Sequence, residues 1–254
     1  MLFTTTHAIL NKLCENQSII NLLKNLLGKD SIQDDIDINV DRIMFGSVIV
    51  PHSKPWVVGL TDKIGGKIRC GGVLITRTHV LTAGHCMRSK RRRYVVVGEH
   101  DQKNIHDGQE YLRIKKNYIH PYYDKQKGIS SFDLAIIVLE KRLDFDNNVN
   151  KVNLPFVNES CENLSVNVSG WGLYEPRDSR HSSIQLRSVE INCLSSRSCS
   201  VSSYSASFNY KTMICGGNLK NPRHGACMGD SGGESNMYFG SKYEFQNDIF
   251  EMSL

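Results

Sequence analysis

The sequence predicts an all-β protein, a sandwich or barrel, and three observations carry that prediction. Short runs of β-forming residues (Val73-Leu74-Ile75, Tyr94–Val97 and Leu134-Ala135-Ile136-Ile137-Val138-Leu139) alternate with turn clusters such as Gly65-Gly66 and Asp146-Asn147-Asn148. Between residues 43 and 230 no stretch keeps a helical period. With 254 residues and a 40% apolar fraction, the chain has the means to close a real core.

The N-terminal part has a different texture. Ile9, Leu13, Ile20, Leu23 and Leu27 recur at near-helical spacing and Gly28 offers a stop, so 7–27 is expected to be an amphipathic helix. An acidic, irregular linker follows from 30 to 41. The boundary falls at Arg42/Ile43, giving a segment 1–42 and a domain 43–254. The first residues lack the basic start and clean apolar core of a signal peptide.

Charge and cysteine content narrow the setting. Lys+Arg 31 against Asp+Glu 26 leaves +5, too little at this size to point to a nucleic-acid partner. The tetrad Lys90-Arg91-Arg92-Arg93 reads as a solvated loop. No run approaches the roughly 18 apolar residues of a membrane span, so no membrane partner is expected. The eight cysteines are not arranged as CxxC pairs, and disulfides are the default reading. Four Asn-x-Ser sequons, at Asn16, Asn158, Asn163 and Asn167, point the same way. The expectation is a secreted, monomeric glycoprotein.

Three segments carry chemistry: Val80-Leu81-Thr82-Ala83-Gly84-His85-Cys86, Ser131-Phe132-Asp133-Leu134-Ala135-Ile136-Ile137-Val138-Leu139, and Gly225-Ala226-Cys227-Met228-Gly229-Asp230-Ser231-Gly232-Gly233. A chance match to Gly229-Asp230-Ser231-Gly232-Gly233 has odds on the order of 10⁻⁴. A serine between glycines is open to attack, a hydroxyl nucleophile needs a base within hydrogen-bond reach, and that base needs an orienting carboxylate.

In these segments, in Ser169-Gly170-Trp171-Gly172 and in Pro55-Trp56, the sequence resembles the chymotrypsin-like (trypsin-fold) serine endopeptidases, the family of the best-known Ser-His-Asp triad. The resemblance runs from about Ile43 to Gly233. It implies two packed six-stranded Greek-key barrels, with Ser231 as nucleophile, His85 as base then acid, and Asp133 as the carboxylate that orients the imidazole. The backbone N–H groups of Gly229 and Ser231 would form the oxyanion hole. Arg42-Ile43, 13 residues before Pro55, matches the family's activation junction. Cleavage there would release 1–42 as a propeptide and pair the Ile43 α-amino group with Asp230; Phe45 departs from the family's usual glycine at that position. Gly225, where trypsin-type relatives carry Asp, implies a preference for apolar side chains. Substrates would be proteins or peptides, and protease inhibitors are expected partners.

The resemblance also implies disulfides Cys70–Cys86 and Cys199–Cys215. Two pairings stay open for Cys161, with Cys193 or with Cys14, the second tethering propeptide to domain. Cys227 has no later cysteine to bond. No cofactor is required for the chemistry, but Glu99-His100-Asp101 followed by Asp107-Gly108-Gln109-Glu110 resembles the family's calcium loop, with Glu99, Asp107 and Glu110 as carboxylate ligands.

After Gly233 the pattern breaks. Glu234 stands where the family has Pro, and the 23 residues after Ser231 hold none of the family's later signatures. The aromatic tail is expected to supply one strand, near 237–239 or 243–245, leaving the second barrel incomplete. The leading expectation is an extracellular serine endopeptidase made as a zymogen. The alternative is a catalytically impaired homologue acting as a binding or regulatory module.

Overall fold

The computed structural model describes residues 46–88, 91–123, 131–154, 161–173, 182–200, 209, 213–217, 230–239 and 242–245. The expected propeptide helix and linker, the Arg42-Ile43 junction, Phe45 and the sequons Asn16 and Asn158 lie outside them.

Six strands close the first barrel: β2 (Val57–Thr61), β3 (Cys70–Leu74), β4 (His79–Thr82), β5 (Tyr94–Val97), β6 (Glu110–Ile119) and β7 (Ala135–Leu139). Their order around the barrel is β2-β3-β4-β7-β6-β5, all antiparallel. The near-continuous apolar runs have a physical reason, because both strand faces are covered. Inside lie Val58, Leu60, Leu74, Val95, Val97, Leu112, Ile137 and Leu139. The alternate residues Val57, Val73, Leu81 and Val96 point outward and pack with Trp56, Trp171 and Leu186, the last two belonging to the second unit. Each such buried side chain contributes roughly 1.5–3 kcal/mol.

The second unit is a six-stranded sheet made of β1 (Ser47–Val48), β8 (Ser165–Gly170), β9 (Arg187–Leu194), β10 (Cys215–Gly217), β11 (Glu234–Phe239) and β12 (Lys242–Phe245). β1 and β10 share one edge of β9, and the order continues β9-β8-β11-β12. Among the described residues this sheet does not close into a barrel. The tail forms two strands where one was expected, a hairpin in which Tyr238 faces Tyr243 and β11 runs beside β8 from Glu234↔Ser169 onward. Two short helices, α1 (Gly84–Arg88) and α2 (Ser196–Ser200), complete the described elements. No described helix is long and apolar enough to cross a membrane.

Backbone groups lock the two units together. The carbonyl of His100 accepts from Trp171 Nε1 at 3.1 Å and from the Leu186 amide at 2.9 Å. Gln102 donates its amide to Ile184 O, and its side-chain oxygen accepts from the Ile68 amide. Cys70–Cys86 is bonded as expected. Cys161 is bonded to Cys193, which corrects the pairing with Cys14: no propeptide tether is made through Cys161. Cys215 is also disulfide-bonded, while the Cys199 side chain and Cys227 lie outside the described groups. Of the remaining sequons, Asn163 is exposed in a turn at φ 68°, and Asn167 sits mid-strand between β9 and β11.

Adjacent residues of β7 test this two-faced packing. Ile137 is fully buried inside the barrel, whereas Ile136 is 39% exposed. Ile137→Ala is expected to lower unfolding free energy by about 2–5 kcal/mol. Ile136→Ala should cost no more than about 1 kcal/mol, both read from urea denaturation.

Candidate active site

The barrel's register places the first two site residues. Thr82 at the end of β4 pairs with Ala135 at the start of β7, so the chain just beyond, 83–85, faces 133–134. Gly84 lies against the Asp133 carboxylate: a Cβ there would stand 2.9 Å from Oδ1. Asp133 is completely buried, and a buried carboxylate must be satisfied by donors. His85 supplies two of them. Its amide donates to Oδ1 at 2.6 Å, and Nδ1 donates to Oδ2 at 2.5 Å. A carboxylate only accepts, so Nδ1 is the donor and Nε2 is the ring nitrogen turned away from Asp133.

A local distortion turns Asp133 inward. Phe132 has φ 63°, and the Leu134 amide closes a tight turn onto Phe132 O at 2.7 Å. That backbone costs a bulky residue on the order of 1–3 kcal/mol. The Phe132 ring stacks on His120 at 4.8 Å and 5°, which offsets about 0.5–1.5 kcal/mol of it.

Ser231 arrives from the second unit. Asp230 O accepts from the Gly233 amide at 2.8 Å, closing a turn with Ser231 and Gly232 at its centre, and Gly232 has φ 74°. Positive φ at that position demands glycine. The turn presses on the first barrel, where the Gly71 amide of β3 donates to Ser231 O at 2.7 Å. A Cβ on Gly71 would stand 2.7 Å from Gly233 Cα, and one on Gly232 would stand 2.3 Å from Thr82 Oγ1. The Cys86 sulfur lies 3.6 Å from His85 Nε2 and 3.6 Å from Ser231 O, so histidine and serine segment flank one disulfide atom. Cys70, His85 and Cys86 group closely enough to suggest metal ligands, but both sulfurs are spent in that disulfide.

Asp230 is fully buried beneath this turn. Its Oδ1 accepts from the Gly172 amide at 2.7 Å, and a Cβ on Gly172 would stand 2.5 Å from both carboxylate oxygens. The glycines of Ser169-Gly170-Trp171-Gly172 therefore make room for a carboxylate. Sequence reasoning did not assign them that task, nor Gly71, Gly84 and Thr82 theirs. Their only signal was glycine clustering beside the motifs.

The loop 99–110 partly fits a cation. Glu99 Oε1 is buried without a hydrogen-bond partner. Burial first, then the charges of Asp107 and Asp101, push Glu99 up to about 7. Asp107 Oδ2 accepts from the amides of His100 at 2.5 Å and Asp101 at 2.7 Å, and Oδ1 lies 3.9 Å from His52 Nε2. An acidic cluster with an orphaned oxygen suits a hard cation. Glu110 does not join it; its carboxylate binds Lys141 at 2.9 Å.

The structure thus brings together His85, Asp133 and Ser231, and Glu99 with Asp107. Gly225, Gly229, Arg42 and Ile43 lie outside the described residues. A family model described as Trypsin matches residues 43–234. The chain belongs to the trypsin family. Among its relatives, chymotrypsin-like elastase family member 1 of Macaca fascicularis is 30% identical over 219 residues, covering 84% of this chain and 79% of that protein. The Rattus norvegicus protein of the same description is 30% identical over 216 residues. Clotting factor G beta subunit of Tachypleus tridentatus is 29% identical over 209 residues, 76% of this chain and 65% of that subunit, just under two thirds of its length. These are serine proteases by family, and the His85, Asp133, Ser231 order of this trypsin-family chain is the family's order.

The fit around Asp133 makes a sharp prediction. Gly84→Ala forces the carboxylate, the Tyr123 ring or Leu134 O to move, all within 3.2 Å of the new methyl. A loss of about 1–3 kcal/mol is expected in urea denaturation.

Proposed function

We propose that this chain is an extracellular serine endopeptidase that cleaves proteins or peptides through an acyl-enzyme. The observation that carries the reading is the buried Asp133 carboxylate holding both the amide and Nδ1 of His85, with the Ser231 turn docked alongside. In this reading Ser231 Oγ attacks the scissile carbonyl carbon while its proton moves to His85 Nε2. Asp133 stabilises the imidazolium without taking the proton. The oxyanion is held by the N–H groups of Gly229 and Ser231, each worth about 3–4 kcal/mol. His85 then protonates the leaving amine as the C–N bond breaks. Water, deprotonated by the same nitrogen, releases the acyl group.

Activation is read as cleavage at Arg42-Ile43, the new α-amino group of Ile43 pairing with Asp230. The glycine-lined burial of Asp230 supports this, because a cation there would offset the cost of an interior charge. Gly225 favours apolar side chains at the cleaved position, and protease inhibitors are the expected protein ligands. Calcium would bind Glu99 and Asp107, drawing Glu110 from Lys141 only if the loop rearranges. Its contribution would be structural, neutralising repelling carboxylates.

Fluorophosphonate labelling of protein cleaved at Arg42 tests the chemistry. The expected result is labelling abolished in Ser231→Ala. Asp133→Asn should lower turnover on the order of 10⁴-fold, the figure for the best-known triad of this type. A folded sample that takes no label overturns the enzyme reading in favour of a binding module. For calcium, an excess of ten to a hundred times Kd should raise unfolding free energy by about 1.4–2.7 kcal/mol. Glu99→Gln should remove that gain.

A further inference from the structure

One end of the first barrel gathers cations that neither the fold nor the proposed chemistry uses. Register puts them side by side. Arg69, beside β3, donates its amide to Leu60 O and so sits level with Thr61; Thr61 pairs with Tyr94, and Tyr94 with Arg113 of β6. Arg93 lies between, its amide on Thr61 O and its carbonyl on the Ile114 amide. The row from Arg69 to Arg113 crosses three strand spacings, about 14 Å. A register shift between Ile114 and Lys116 makes Lys115 an extra residue in β6, and Lys115 and Lys116 both come out exposed where strict alternation would bury one.

Lys67, Arg69, Arg93, Arg113, Lys115 and Lys116 are all exposed, and among the described residues none is held in an ion pair. Two of them lie over tyrosine rings, Arg113 over Tyr94 of the neighbouring strand at 5.6 Å and Lys116 over Tyr118 of its own at 4.4 Å. Lys67 is held below the ordinary lysine range, first by partial burial and then by the charge of Arg69. Exposed carboxylates on the same rim are Asp62 and Glu140; Glu110 is already bound by Lys141. Cations spaced inside a Debye length of about 8 Å repel one another, and a polyanion removes that repulsion while releasing counterions.

We propose that this rim binds a sulfated polysaccharide. Guanidinium forks match tetrahedral oxyanions, and a row of them across a sheet suits a polymer with repeating anionic groups. This rests on the extracellular setting of the proposed function, which the disulfides support and in which such polymers are sulfated glycans and not nucleic acids. The site shares no residue with the proposed triad, so it stands or fails independently of protease activity.

The test is calorimetric titration of the full chain with a size-defined heparin oligosaccharide, beside single-stranded DNA and polyglutamate of equal charge. Heparin is expected to bind at least tenfold more tightly than either, and to weaken at least tenfold between about 0.1 and 0.3 M NaCl. Arg93→Glu combined with Arg113→Glu and Lys115→Glu should weaken it at least tenfold, while charge reversal at exposed Lys151 and Arg197 leaves it unchanged. Acetylation footprinting reads the unmutated protein: Lys67, Lys115 and Lys116 should be protected by heparin and Lys151 not. Equal affinity for DNA or polyglutamate, an equal loss in the control variant, or unprotected lysines would overturn the proposal.

Discussion

Burial of the Asp133 carboxylate is the constraint on which the site depends. An interior charge is tolerable only when donors surround it, and here one residue, His85, offers both its amide and its ring nitrogen. Much of the local structure follows from that need. Gly84 must lack a side chain, the strands must end at Thr82 and Ala135 in register, and the chain before Asp133 accepts a left-handed residue at Phe132. The orientation of the imidazole is then a by-product of satisfying the carboxylate.

The same logic recurs on the other side of the site. Asp230 is buried against backbone kept bare by Gly170 and Gly172, and the turn that follows is pressed onto Gly71 and Thr82. Neither contact tolerates a Cβ, so the Ser231 turn has little room to settle elsewhere. The distances from the Cys86 sulfur to both partners reflect that tight docking.

Legibility in the sequence followed how local each cause was. The end of β3, β5 and β7 could be read because apolar runs bounded by turns need no distant partner to be recognised. β6 was obscured by its bulge, which breaks the period in Glu110–Ile119. The tail hairpin was half read: Gly240-Ser241 between aromatic strands is a two-residue turn signal that went unused. The motifs located His85, Asp133 and Ser231, but the glycines that make their geometry feasible act across 48 or more residues of chain. That Glu110 binds Lys141, 31 residues away, is a matter of tertiary placement the sequence does not show. The pairing of Cys161 was open for the same reason.

His85 and Asp133 both belong to the closed barrel, whereas Ser231 is carried on a turn that leads straight into β11 of the other sheet. Changes in the second sheet reach His85 and Asp133 through residues 230–233 and through the packing of Trp171 and Leu186 on the barrel. Loss of order in that sheet would displace Ser231 while the imidazole and its carboxylate, bonded to each other within one barrel, keep their geometry.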